Sequence, residues 1–176
     1  DVLVARSIAR VEYIRDAEFT DPVDVAVISR ADYRARQGNT TTSDSFGAWN
    51  NQVWEALFVD GEDTDVQDEL TGTFSSSVAG FYAPGPDEIR IVTTTPESPT
   101  VDNATLVHEL THALQDQQGR LASARPADAT QDADLAANGL VEGEANFVER
   151  RYTERCGAEW DCVASPRGNG GSGEPP

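Results

Sequence analysis

The chain has 176 residues, of which 38% are apolar, and 31 acidic side chains against 13 basic ones leave a net charge of −18. That size suits one domain around one modest core. That charge balance argues against a nucleic-acid binder, because a phosphate backbone needs a basic patch, and no run approaches the ~18–20 apolar residues that a membrane-spanning helix requires.

All the basic residues are arginine, and methionine is absent. A chain that starts at Asp1 without methionine reads as a processed fragment, from which a signal peptide would already be gone. The acidity itself reads as solubility.

In chain order, Val4, Ile8, Val11 and Ile14 recur at spacings of three and four, so an amphipathic helix is expected to end before "TDP". The alternation of Val23, Val25 and Val27 predicts a strand, and Ser29 can cap a short helix, "RADYRARQ", that stops at Gly38. "AWNNQVWEALF" predicts another helix, and the acidic stretch at residues 60–65 lacks the ligand pattern of a calcium loop and reads as a solvated turn. "VAGFY" and "EIRIV" predict two strands joined by the turn-rich "APGPD". A helix from about Ala104 to Gln118 follows, with Asp102 as its cap and Gly119 as its stop. A last helix is expected in "DLAANGLVEGEANFVERRY", and the tail at 165–176 reads as a disordered Gly/Pro/Ser linker.

The chain uses histidine twice, at His108 and His112, in "HELTH". Leu106, Val107, Leu110, Ala113 and Leu114 form one stripe of this helix, roughly 180° from the two histidines at about 100° per residue. Imidazoles on adjacent turns of one face can bind one metal ion. Glu109 sits one step round from His108, within reach of a water at that metal and able to serve as its general base. With no further histidine, and two cysteines far along the chain, a third ligand must be a carboxylate. Cys156 and Cys162 enclose only "GAEWD" and read as a small disulfide loop, which points to export and a secreted or cell-surface location. So short a loop is expected to matter little to the core.

"HELTHALQD" resembles the active-site helix of the gluzincins, the thermolysin-like and aminopeptidase-like zinc peptidases, and "LVEGEANFVE" resembles the second helix that supplies their ligand glutamate in the form E-G-x-A. The resemblance covers roughly residues 78–152 and implies one Zn²⁺ per chain held by His108, His112 and Glu142. Glu144 points about 200° away on the same helix and cannot share that role. Gly143 would let the two helices approach closely. Asp116, Asn146 and Glu149 are candidates to hold a ligand histidine by its second nitrogen. The strand around Gly80 and Phe81 is similar to the substrate-pairing edge strand of the thermolysin relatives.

Two departures stand out. The interval from His112 to Glu142 is 142 − 112 = 30 residues, longer than in the thermolysin-like enzymes, so "SARPADATQDAD" is expected to loop out. The second lobe that carries an oxyanion-stabilising histidine is missing, which leaves Tyr152, Arg151 or Tyr82 as candidates for that task.

The fold expected is α+β: a small, mostly antiparallel sheet packed against the two zinc helices. It is expected to divide into a single catalytic domain over 1–155, a cysteine loop at 156–164 and the tail at 165–176. The function expected is hydrolysis of peptide bonds in peptide or protein substrates by a monomer. The alternative is an exported zinc-binding interaction module with little or no turnover. It is discriminated by Glu109, which a purely structural site does not need.

Overall fold

The computed structural model describes residues 2–37, 52–53, 56–57, 77–94, 101–124 and 130–162. Its elements are α1 (Val2–Arg15), β1 (Asp24–Ser29), α2 (Arg30–Gln37), β2 (Gly80–Ala83), β3 (Glu88–Thr93), α3 (Asn103–Gln117), α4 (Arg120–Ala124) and α5 (Gln131–Arg155). The fold is α+β, with a three-stranded sheet in the order β1-β3-β2. Of the helix expected over 48–58 only residues 52–53 and 56–57 are described, and the acidic turn at 60–65 and the tail at 165–176 lie outside the described residues. No helix among the described residues is long and apolar enough to cross a membrane.

The chain divides into two compact units, one of Asp1–Val25, Tyr82–Ile89 and Thr100–Pro176, the other of Ala26–Phe81 and Arg90–Pro99. In the first, α3 packs on α5 and α1. Helix α1 buries Ser7 and Val11 and ends where Asp16 turns left-handed, at φ 48°. The chain beyond it is fastened to the end of α3: Thr20 N–H donates to Gln117 Oε1 at 2.9 Å, and Gln117 Nε2 donates to the Asp21 carbonyl at 3.0 Å.

Asp102 caps α3 as its side chain accepts from Thr105 N–H at 3.3 Å and Thr105 Oγ1 at 2.9 Å. Gly119, at φ 70°, takes the left-handed turn that stops the helix. The apolar stripe is buried as its period predicts, but Glu109, Thr111, His112 and Gln115 are buried too. Helix α5 packs against α3 and takes up Gln115 of that face through the Val141 carbonyl and Glu144.

Helix α5 begins earlier and ends later than "DLAANGLVEGEANFVERRY". Thr130 caps it by accepting from Ala133 N–H at 3.2 Å, and Ala137, Val141, Ala145, Val148 and Tyr152 form its buried stripe at helical spacing. With α4 on one side and α5 on the other, both ends of the expected loop "SARPADATQDAD" are helical. Gly143 corrects another expectation. It is exposed, and a Cβ there would meet nothing within 4 Å, so close helix approach does not explain this glycine.

Beyond α5, Cys156 and Cys162 form a disulfide. Trp160, inside the loop, packs edge-on against Tyr13 of α1 at 6.1 Å and against Tyr152 of α5 at 5.6 Å between ring centres. Trp160 therefore joins the loop to both α1 and α5.

In the second unit, Tyr33 is the buried side chain of α2 and packs against Phe81 of β2, with ring centres 5.4 Å apart. Arg90 of β3 lies 5.8 Å from the Phe81 ring centre, and Arg30 donates to the Val78 carbonyl at 3.0 Å. Among the described residues, β2 lies at an edge of the sheet. The Phe81 ring is already engaged, so pairing with an extended peptide through Gly80 and Phe81 would have to use their backbone.

Candidate metal centre

Helical spacing places His108 and His112 one turn apart on α3, and the Nε2 atoms of the two rings lie 3.2 Å from each other. Glu142 of α5 brings its Oε2 to 3.2 Å from His108 Nε2 and 3.5 Å from His112 Nε2. The three candidate ligand atoms lie within 4.8 Å of one another. With the Glu142 side chain 51% exposed, the cluster opens to solvent on the α5 side. This His–His–Glu arrangement resembles a zincin-type site and is geometrically capable of coordinating a metal ion.

The remaining ring nitrogens are held by acceptors. His108 Nδ1 lies 3.3 Å from Glu149 Oε2, as the sequence suggests for Glu149. His112 Nδ1 lies 2.9 Å from Gln115 Oε1. Asp116 does not hold His112: its carboxylate accepts from the Tyr82 hydroxyl at 2.8 Å instead. Asn146 is exposed and holds neither histidine, whose four ring nitrogens all have other partners. Gln115 is a residue that sequence reasoning missed, although its position three residues after His112, on the same side of a helix, was a usable signal.

With both Nδ1 atoms turned to acceptors, the Nε2 lone pairs and the Glu142 carboxylate converge on one point. The arrangement attracts positive charge. Burial pushes the His108 imidazolium down, but Glu149 at hydrogen-bond range, with Glu109 and Glu142 close by, outweighs it and leaves His108 above the ordinary value of 6.5. His112 goes the other way. Its burial dominates, and His108 beside it adds to the fall, despite Gln115 and Glu142.

Glu109 is buried beside the histidines. Burial pushes its carboxyl up to about 7, against the opposing pull of His108 and of a hydrogen bond from the Tyr82 backbone N–H. That bond is a second contribution invisible in the sequence: β2 fixes the carboxylate that neighbours the metal cluster.

A small open cleft of ≈ 160 Å³ lies beside the cluster, lined by Tyr82, Pro84, His112, Leu121, Val141 and Glu142. Leu121 comes from α4, just ahead of the segment expected to loop out. The three expected oxyanion groups are each turned elsewhere. The Tyr82 hydroxyl lies between Asp87 Oδ1 at 2.7 Å and Asp116 Oδ2 at 2.8 Å, and burial together with these two carboxylates holds the phenol well above its usual range. Arg151 pairs with Glu154 at 2.9 Å along the surface of α5. Tyr152 is buried and its hydroxyl accepts from Arg10 at 3.2 Å, which places it in the packing under Trp160, not in the cleft, and corrects its proposed part in the site.

Glu144 lies apart from the three candidate ligands. Its carboxylate accepts from Gln115 Nε2 at 2.6 Å and Arg120 Nη1 at 2.7 Å, and pairs with Arg15. Partial burial raises its pKa, but these donors more than offset that and hold the carboxyl below the usual carboxylate range.

Neither a family model nor a curated protein nor a solved structure matches this chain.

Proposed function

We propose that this protein is a zinc-dependent peptidase of the gluzincin type, exported from the cell, with His108, His112 and Glu142 as ligands and Glu109 as general base. One observation carries the reading. Three ligand atoms converge on a point beside a buried carboxylate that a purely structural metal site does not need.

The donor set suits zinc. Ligands at about 2.0–2.1 Å from a tetrahedral ion stand about 3.3–3.4 Å from each other, and the separations here are 3.2, 3.2 and 3.5 Å. Three protein ligands with an open side match a catalytic zinc site, whereas structural sites are closed by four. When bound, zinc would polarise the substrate carbonyl and lower the pKa of water toward roughly 7.

The chain's own residues would do the rest. Glu149 and Gln115 orient the two imidazoles. Glu109, fixed by the Tyr82 N–H, would accept the proton of the water that attacks the peptide carbonyl and return it to the leaving amine. The cleft walls, Leu121, Val141 and Pro84, would receive apolar parts of the substrate. Export rests on the disulfide, which persists in oxidising compartments.

A second reading, an exported zinc-binding interaction module, is favoured by the engagement of Tyr82, Arg151 and Tyr152 with other partners. The two readings part on measurement of zinc content together with cleavage of a mixed peptide pool. One zinc per chain with turnover supports the peptidase. One zinc without turnover moves the binding module ahead. Substoichiometric zinc that added metal does not restore sinks both.

A further inference from the structure

Gln115 is a candidate for a role that nothing in the motif assigns. We infer that Gln115 is a positioning residue that locks His112 in the Nδ1–H tautomer, so that Nε2 offers its lone pair to the metal, and that Glu144 holds Gln115 in place. The inference rests on the metal-site reading above but not on peptidase turnover.

Groups that can only accept decide which way the Gln115 amide faces. Gln115 Nε2 lies 3.1 Å from the Val141 carbonyl oxygen and 2.6 Å from Glu144 Oε2. A carbonyl and a carboxylate have no proton to give, so the amide –NH₂ must face them. The amide oxygen is then the atom 2.9 Å from His112 Nδ1. An amide oxygen only accepts, so Nδ1 carries the hydrogen. A neutral imidazole has one N–H, which leaves Nε2 bare, and Nε2 is the atom that faces His108 and Glu142.

The residue type is determined by the same contacts. Gln115 is buried, at 2% exposure, so water is poorly placed to replace it. It must accept from His112 and donate to two acceptors at once. A glutamate there would keep the bond to His112 but set oxygen against the Val141 carbonyl and the Glu144 carboxylate. Leucine would offer neither bond. Glu144 is itself held by Arg120 of α4 and Arg15 of α1, so the orientation of a metal ligand is tied to three other helices.

The test has two readouts. Long-range ¹H–¹⁵N NMR on the metal-free protein, at a pH where both imidazoles are neutral, reads the tautomer of His112, with His108→Gln supplying the assignment. The expected result is Nδ1–H in the unmutated chain and a shift toward Nε2–H in Gln115→Leu. Zinc affinity, measured by competition with a chelator, should fall about 10–100-fold in Gln115→Leu, the cost typical of losing such a partner. It should fall in Gln115→Glu as well, which a mere need for an acceptor does not predict. An Nε2–H tautomer for His112 in the unmutated chain overturns the inference without any variant. So does zinc affinity in a folded Gln115→Leu protein within about twofold of the original. A protein that holds zinc but cleaves no peptide fails the peptidase reading and leaves both of these results standing.

Discussion

The Arg10 guanidinium lies 4.9 Å from the centre of the Trp160 ring, and its Nη2 donates to the Asp161 carbonyl at 3.0 Å. Arg155 lies 5.6 Å from the same ring centre, so two cations from α1 and α5 flank one indole in the cysteine loop. The disulfide closes the loop that carries this indole, and the Trp160 backbone N–H donates to the Arg155 carbonyl at 3.0 Å.

Opening the disulfide should therefore destabilise the protein measurably. The bridged residues are six apart in sequence, and closing so short a loop accounts for about 2 kcal/mol through the unfolded chain. Release of Trp160 from α1 adds to it. Cys156→Ser with Cys162→Ser should lower the unfolding midpoint by several degrees, read by thermal melting, with increased hydrogen exchange in α1. A melting curve that superposes on the original would show that the loop is peripheral after all.

Glu109→Gln should separate base from ligand. Gln keeps the side-chain volume and an oxygen that can accept from the Tyr82 N–H, and His108, His112 and Glu142 are untouched. Zinc content should stay near that of the original, while turnover of any cleaved peptide should fall by about 10²–10⁴-fold. Glu142→Gln should lower zinc content and turnover together. Unchanged cleavage in Glu109→Gln would show that another group takes the proton.

Zinc binding should weaken on acidification from above the usual histidine range. In the metal-free protein His108 is held above 6.5 by the carboxylates of Glu149, Glu109 and Glu142, which together outweigh its burial. A proton on His108 must leave before Nε2 can coordinate, so apparent affinity is full above that raised pKa and falls about tenfold per pH unit below it. His112, shifted below 6.5, releases its proton sooner and begins to compete only at lower pH. Chelator competition across the pH range reads this directly. Affinity that stays flat down to the ordinary histidine value would contradict it.

Gly143→Ala should stabilise the protein. The position is helical and a Cβ meets nothing within 4 Å, so alanine reduces the entropy lost on folding by about 0.5–1 kcal/mol. The melting midpoint should rise by about 1–4 °C for a chain of this size, with zinc content unchanged. A lower midpoint would restore the view that Gly143 serves close helix approach.

Much of the site was legible because its determinants are local. The i, i+4 spacing of His108 and His112, the Asp102 cap, the Gly119 stop and the turn between β2 and β3 are each decided within a few residues of chain, where helical period and backbone sterics act. Glu142 was reachable through its resemblance to a known ligand helix, and Glu149 through its helical register with Glu142. The partners of these residues were not legible in the same way. Asp116 and Gln115 both follow His112 at helical spacing, and only the docking of α5, which presents the Val141 carbonyl and Glu144 to one end of the Gln115 amide, turns its other end to His112. Asp116 is taken by Tyr82, which arrives from a strand 34 residues earlier. In the same way the hydrogen bond from β2 to Glu109, the place of Tyr152 beneath Trp160 and the open space around Gly143 depend on which faces of separate elements meet. Spacing along the sequence decides which side of a helix a residue occupies. Which neighbour satisfies its hydrogen bonds there is decided only when another element packs against that side.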